Sequence, residues 1–153
     1  MRKQLPTYLF FGSFFIFFIT IHGAFAQQNL DSDKRAAAGY DVVAYFNNTP
    51  TAGNSNFQVE YKDAIYQFKN QSNMALFEMN PTCYVPQYGG WCAYAMGSNG
   101  EKVEINPESY SIEDKKLYLF YKTTFTDTKK KWMKKNTPLK LEANQNWNKW
   151  LNN

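Results

Sequence analysis

Alternation of apolar and polar residues predicts two β-hairpins in this chain. Residues 57–61 alternate Phe, Gln, Val, Glu and Tyr, and residues 64–68 follow a similar pattern after a polar pair at 62–63. Such alternation is typical of half-buried strands, and a polar pair between two of them favours a tight turn. Residues 109–112 and 117–121, separated by a polar stretch at 113–116, predict a second hairpin.

A short amphipathic helix is predicted after the first hairpin. Ser72 is a suitable N-cap residue, and the apolar residues that follow it recur at helical spacing. Leu76 and Phe77 are expected to be buried against the hairpin. Asn80 and Pro81 are expected to end the helix, because proline cannot continue it.

Two further helices are predicted near the C-terminus. Thr126 or Asp127 can cap the first, and Thr137, which precedes a proline, can cap the second. Trp147 and Trp150 share a stripe of the second helix and can close a core or stack on a ligand. The pattern indicates an α+β fold, a small single domain of two β-hairpins with short helices and a C-terminal helical segment. No internal repeat is evident.

The first 26 residues predict a secretory signal peptide. Arg2 and Lys3 form a basic start, residues 9–21 are apolar, and Ala-Phe-Ala at 24–26 matches the small-x-small rule for cleavage. The apolar run is short for a membrane-spanning helix. We therefore expect an exported protein, periplasmic or extracellular, whose contact with the membrane is limited to the transient signal peptide.

The mature chain divides into a flexible lead-in at 27–36 and a domain at 37–153. Loss of Arg2 and Lys3, one positive charge each, lowers the formal net charge from +4 to +2. A charge this small predicts no polyanion partner, so no nucleic-acid binding is expected. The lysine cluster at 129–135 is expected to form a solvated helix face.

Histidine is absent after the signal peptide, because His22 is the single histidine of the chain. This excludes catalytic triads and metal or haem sites that require imidazole. The carboxylates are scattered, without a pair at a usable spacing. We therefore expect no enzymatic activity, and a small ligand, a metal ion or another exported protein as the partner.

The segment at 85–96 is the main candidate for a binding site. Two adjacent glycines allow left-handed backbone or close approach to another group, and the flanking rings can be buried or offered to a ligand. A tight turn that feeds an aromatic core is the alternative. The candidate ligand-binding residues are Tyr88, Gly89, Gly90, Trp91, Cys92 and Tyr94.

Two sulfur atoms in this segment suggest a soft-metal site. Cys92 and Met96 are four residues apart, so they share a face if the segment is helical. A thiolate and a thioether suit Cu(I), although buried sulfur is often simply part of a core. Cys83 and Cys92 could instead form a disulfide in an oxidising compartment, which would remove Cys92 from metal binding.

Several motifs follow one another over nearly all of the mature chain, from about residue 37 to residue 150. They are Gly39-Tyr40-Asp41-x-Val43-Ala44-Tyr45-Phe46, Tyr66-x-Phe68, Phe77-x-x-Asn80-Pro81-x-x-Tyr84, Pro86-Gln87-Tyr88-Gly89-Gly90-Trp91-Cys92-Ala93-Tyr94-Ala95, Leu117-Tyr118-Leu119 and Asn146-Trp147. In this order they resemble the exported branch of the YHS-domain family. That resemblance implies a small YHS/TRASH-like α+β module, related to cysteine-rich modules that bind heavy metals.

The resemblance implies a heavy metal such as copper as the ligand, with Cys92 and Met96 as contributors. In the metal-binding relatives, the helix after the second strand begins Phe-Cys-Ser-x-x-Cys. Here Lys69 and Asn73 replace both cysteines, and neither side chain is a good ligand for a soft metal. The alternative is a non-catalytic interaction domain that binds a protein or a small apolar ligand at the Gly-Gly aromatic segment.

Overall fold

The computed structural model describes residues 28–152, so the predicted signal peptide lies outside the described residues. Within that range the fold is α+β, with two separate antiparallel two-stranded sheets and five α-helices. None of these helices is both long enough and apolar enough to cross a membrane. The elements are β1 (Asn54–Tyr61), β2 (Ala64–Phe68), α1 (Gln71–Met79), α2 (Pro81–Tyr84), α3 (Ala93–Ser98), β3 (Asn106–Glu113), β4 (Lys116–Phe120), α4 (Thr128–Lys134) and α5 (Asn136–Asn152).

Both predicted hairpins are confirmed, with tight turns between their strands. The turn residues Lys62 and Asp63 have φ angles of 51° and 60°, and Asp114 and Lys115 have 51° and 59°. Two successive left-handed residues match the right-handed twist of the paired strands. The second hairpin begins earlier than predicted, at residue 106.

Two of the predicted helix starts are wrong. Asn70, not Ser72, caps α1, because its extended backbone lets its side chain accept the Asn73 N–H at 2.9 Å. Asp127 caps α4 as predicted and accepts the Lys129 N–H at 3.1 Å. Thr137 is not the cap of α5, since that helix already begins one residue earlier.

The lead-in at 27–36, expected to be flexible, is held against β2 over its described residues. The Ala36 N–H donates to the Ile65 carbonyl at 3.0 Å, and the Ile65 N–H donates to the Lys34 carbonyl at 2.8 Å. Arg35 therefore pairs with Ile65 in a parallel bridge. These hydrogen bonds were not foreseeable from the polar composition of the segment.

The chain contains two copies of one structural unit, a first unit at 37–79 and a second unit at 88–134. Each begins with three left-handed residues, with φ angles of 51°, 52° and 76° at 37–39 and of 55°, 61° and 86° at 88–90. A hairpin and a helix follow in both. The expectation of no internal repeat is therefore wrong.

The two hairpins pair in the same register. Asn54 pairs with Phe68, and 52 positions later Asn106 pairs with Phe120; the ladder then shifts at the same place in both hairpins. The side chain of each asparagine accepts the N–H two residues later at 2.9 Å. Agreement at this level of detail indicates one repeated backbone plan.

A trio of aromatic rings also recurs. In the first unit, Tyr66 and Phe68 lie with ring centroids 4.7 and 5.1 Å from that of Phe77 on α1. In the second, the Tyr-x-Phe at 118–120 packs on Trp132 of α4, with centroids 5.6 and 5.8 Å away. Phe77 is fully buried as predicted, whereas Leu76 is 44% exposed, contrary to the prediction.

Strand β4 lies between two hydrophobic cores. Leu117 and Leu119 pack into the core of the first unit, while Tyr118 and Phe120 pack into the core of the second. Successive strand residues point to opposite faces, so one strand serves both. The two units therefore form a single domain rather than two.

Candidate functional site

The Gly-Gly segment forms the left-handed turn of the second unit. Pro86 enters it in extended conformation, and Gly90 has a φ of 86° that favours glycine. Asn29 holds the turn from the lead-in: its backbone N–H donates to the Gly89 carbonyl at 2.8 Å, and its side-chain amide donates to the Gly90 carbonyl at 3.4 Å. The backbone of the predicted site is thus fixed by distant residues.

A cleft of about 740 Å³ lies on one side of this turn. Its walls come from the lead-in, the first hairpin, the Gly-Gly segment, the start of β4 and the last turns of α5. The volume falls in the range of small-molecule pockets. The lining residues are Gln28, Tyr61, Lys62, Tyr66, Val85, Pro86, Gln87, Tyr88, Gly89, Lys116, Asn144, Trp147, Asn148 and Leu151.

Two buried tyrosines direct their hydroxyl groups to amide side chains of the cleft. The Tyr88 hydroxyl donates to Asn144 Oδ1 at 3.0 Å, and the Tyr66 hydroxyl donates to Gln28 Oε1 at 3.2 Å. Burial raises the pKa of both phenols well above the ordinary value. Both therefore stay protonated, and they orient the two amides from beneath.

The lining of the cleft is positively charged. Lys62 and Lys116 are both exposed lining residues, and no aspartate or glutamate is among the lining residues. The Lys62 ammonium lies 5.4 Å from the centroid of the Tyr61 ring. Amide side chains supply the remaining polar groups, so the cleft offers rings, cations and hydrogen-bond donors together.

Other residues of the predicted site lie outside this cleft. The Lys102 ammonium lies 5.9 Å from the Trp91 ring centroid and 4.1 Å from that of Trp150, and burial lowers the pKa of this lysine. The Lys131 ammonium lies 5.7 Å from the centroid of the Tyr94 ring, outside the cleft. Of the predicted ligand residues, the cleft brings together Tyr88 and Gly89.

Cys92 is fully buried and its sulfur is already engaged. Its Sγ accepts the Tyr121 N–H at 3.3 Å and lies 3.5 Å from the Thr128 hydroxyl oxygen. That hydroxyl donates to the Tyr121 carbonyl at 2.7 Å, so the thiol supplies the proton between sulfur and hydroxyl. Met96 is buried in the second core. Neither sulfur lines the cleft.

The disulfide between Cys83 and Cys92 that the sequence left open is not formed. Both cysteines are free, Cys83 on the surface and Cys92 in the interior. A disulfide would require their Cβ atoms to approach within about 4.5 Å. Instead, the thiol of Cys92 is directed to the start of α4.

Lys69 and Asn73, which replace the cysteines of the Phe-Cys-Ser-x-x-Cys pattern in the resemblance described above, take part in a hydrogen-bond network. The Lys69 backbone N–H and the Asn73 side-chain amide both donate to Asp41 Oδ2, at 3.0 and 2.6 Å. These are donors, whereas a metal requires acceptors with lone pairs. Among residues 28–152, no cluster of three or more His, Cys, Asp or Glu could hold a metal ion. The groups at Lys69 and Asn73 therefore do not fit a heavy metal.

Most of the cleft residues were not identified from the sequence, because they come from five separate segments. Trp147 was considered as a ligand-stacking residue, and it does line the cleft. Asn144 and Asn148, on the same helix, were the sequence signal for a binding surface. A tryptophan bordered by amides is less typical of a buried apolar stripe than one bordered by aliphatic residues. Comparison with models of known families, with curated proteins and with solved structures found no match to this chain.

Proposed function

We propose that this protein is a non-catalytic binding module for a small organic anion. The cleft beside Gly89 holds the ligand, which has a flat apolar face and one acidic group. The single observation behind the proposal is that four aromatic residues and two lysines line one cleft whose lining includes no acidic residue. The cleft lining contains neither a thiol, a carboxylate nor an imidazole, which supports binding rather than catalysis.

The aromatic residues account for the flat apolar face of the ligand. Tyr61, Tyr66, Tyr88 and Trp147 contribute rings to the lining. The half-buried rings of Tyr61 and Trp147 provide contact area for the ligand, and their few rotatable bonds keep the loss of side-chain entropy on binding small. Tyr66 and Tyr88 are only 2% and 4% exposed, so they form the floor of the cleft, and their hydroxyl hydrogen bonds hold the amides of Gln28 and Asn144 at its wall.

The lysines account for the acidic group. Lys62 and Lys116 come from the two hairpins, which converge on the cleft. The lining contains no carboxylate, and Asp114, which interacts with Lys116, lies outside the lining, so a ligand anion is attracted to the cleft. The amides of Gln87 and Asn148 offer further donors for carboxylate or sulfonate oxygens.

The proposal includes export to the periplasm or the exterior and membership of the YHS/TRASH-like modules. The signal-like N-terminus supports export. The order of the YHS motifs supports the family, as does the hairpin followed by a helix in each unit. A ligand that reaches an exported cleft is a small molecule or part of another exported protein, and export argues against nucleic acid as the partner.

Heavy-metal binding through Cys92 and Met96 stays a prediction of the family resemblance. The contacts of the Cys92 sulfur argue against it, because metal binding would have to displace the Tyr121 N–H and the Thr128 hydroxyl. Titration of the purified protein with Cu(I) tests it. Stoichiometric binding that is lost in Cys92→Ala would restore the metal hypothesis.

The binding proposal is tested with anilinonaphthalene sulfonate, a fluorescent probe that combines aromatic rings with one sulfonate. Saturable binding at one site is expected. Lys116→Glu should weaken it about tenfold, because an attraction becomes a repulsion at an exposed position of the lining. Trp147→Ala should weaken it by a similar factor through loss of a stacking surface.

The matched control is Trp150→Ala, a tryptophan of the same helix that contacts Lys102 outside the cleft. It should leave probe binding unchanged. A neutral dye of similar size should bind the parent protein weakly. Equal binding by Lys116→Glu and the parent protein would contradict the assignment of an anionic ligand.

A further inference from the structure

The turn before α4 holds a phenylalanine out in solvent. The Thr123 N–H donates to the Thr126 carbonyl at 2.8 Å, and the Thr128 N–H donates to the Tyr121 carbonyl at 3.2 Å. These bonds close a tight loop with Phe125 near its tip, where its side chain is 97% exposed. A large apolar side chain presented by an ordered turn has no role in the core.

Lysines surround this tip in the sequence and on the adjoining helix. Residues 121–135 contain six lysines and one acidic residue, Asp127, whose carboxylate is used to cap α4. Thr128 and Trp132 mark the buried side of that helix. By helical spacing, Lys130 and Lys134 lie on the opposite side.

The helix that bears these lysines is anchored to the rest of the domain. The Trp132 indole N–H donates to Glu113 Oε1 at 2.9 Å. The ammonium groups of Lys129 and Lys131 lie 5.4 Å from the Tyr110 ring and 5.7 Å from the Tyr94 ring, which draws both lysines to the flanks. The outward lysines, Lys130 and Lys134, therefore stand on an anchored helix that follows the turn bearing Phe125.

We propose that this basic tip, residues 121–135, binds the surface of an anionic lipid bilayer, a membrane contact beyond the transient one that the sequence predicts. Phe125 inserts among the acyl chains near the headgroups, and the lysines contact the lipid phosphates. This combination of an inserted ring and surrounding cations is how peripheral proteins gain two additive contributions to membrane affinity. The site is separate from the cleft, so it does not depend on the proposed ligand.

A bilayer fits this surface better than an acidic protein does. No residue of the basic tip lines the cleft or the three smaller cavities that lie elsewhere among residues 28–152, near Lys140, Asp31 and Asn146. A projecting ring needs a matching pocket on a folded partner, whereas a fluid bilayer accepts it without one. The long lysine side chains can also adjust to mobile headgroups.

Co-sedimentation with lipid vesicles tests the proposal. The purified mature protein should bind vesicles of equal parts phosphatidylcholine and phosphatidylglycerol, and should bind vesicles of phosphatidylcholine alone much more weakly. Phe125→Ser should reduce binding to the anionic vesicles about tenfold, through loss of the inserted ring. Lys130→Gln combined with Lys134→Gln should reduce it at least about tenfold, since each lysine near the surface contributes about fivefold.

Two controls are matched to these variants. Met79→Ser removes an apolar side chain that is 82% exposed, on the first unit. Lys115→Gln combined with Lys149→Gln removes two exposed charges elsewhere. Both should bind like the parent protein. Equal losses in test and control variants would overturn the proposal, because they would show a general effect of surface composition or net charge.

A spectroscopic variant separates insertion from simple attraction. Phe125→Trp places a fluorophore at the tip, and its difference spectrum against the parent protein should shift to shorter wavelength on anionic vesicles. An unshifted spectrum together with full sedimentation would mean that the lysines bind the vesicle through charge alone, as they would bind any polyanion. That outcome would overturn the insertion of the ring.

Discussion

Asp41 and Cys92 occupy the same place in the two units and differ in what they can bind. Each follows the left-handed turn, and each backbone N–H donates across the unit, from Asp41 to the Thr51 carbonyl at 2.9 Å and from Cys92 to the Val103 carbonyl at 3.0 Å. Each side chain then accepts the N–H of the first residue after the second strand, at Lys69 or Tyr121.

The difference lies in how many donors each acceptor satisfies. Asp41 accepts four, from the N–H groups of Val43, Ala44 and Lys69 and from the Asn73 amide. Cys92 accepts one N–H and shares one contact with a hydroxyl. The comparison teaches that the backbone plan requires a buried acceptor at this position, and that its chemistry decides how firmly the unit is held.

The largest expected effect is that of Asp41→Ala. Four donors would lose their acceptor in the interior, and the free energy of unfolding should fall by about 4 kcal/mol, measured by urea denaturation. Asp41→Asn retains a single acceptor oxygen, so it should cost about 2 kcal/mol. A loss for Asp41→Ala no greater than that for the equivalent Cys92→Ala would contradict the inferred difference between the units.

A smaller effect is expected for Cys92. Cys92→Ala removes one buried sulfur and leaves the Tyr121 N–H without its acceptor, at a cost of about 2 kcal/mol; Cys92→Ser retains an acceptor and should cost about 1 kcal/mol. In the folded parent protein, a thiol reagent should modify Cys83 promptly and Cys92 only after denaturant is added. Rapid modification of both would mean that the second unit opens readily.

The smallest effect concerns the equivalent turn positions Ala38 and Gly89, with φ angles of 52° and 61°. Glycine tolerates left-handed backbone, whereas alanine pays a steric cost there. Gly89→Ala should destabilise the protein by about 1 kcal/mol, and Ala38→Gly should stabilise it by about 0.5 kcal/mol. Thermal unfolding measures both. Changes of the same sign would refute the equivalence of the turns.

The sequence pattern was sufficient for the hairpins, because strand alternation and turn residues act locally. The repeat escaped detection because the two units preserve backbone geometry while changing side chains: Asp41 becomes Cys92, and Phe77 becomes Trp132. A Tyr-x-Phe pair in each second strand was the visible trace. Helix starts were less predictable, since Asn70 and Ser72 are both good caps and only the backbone decides between them.

The candidate site was partly predictable. The Gly-Gly segment does border the cleft, through Tyr88 and Gly89. Cys92, one residue beyond the turn, faces the interior instead, and local spacing cannot reveal which way a residue points after left-handed backbone. Gln28 and Lys116 are 88 positions apart in the chain, so their meeting at the cleft depends on tertiary contacts that no local pattern encodes.

Strand β4, shared by both cores, has a consequence for how the molecule comes apart. Tandem copies of a motif can often melt one at a time, since each retains its own interior. Here, loss of either core exposes one face of β4 and so destabilises the core on its other face. The duplicated architecture should behave as one cooperative body, and a fragment that contains a single copy should have no folded state of its own.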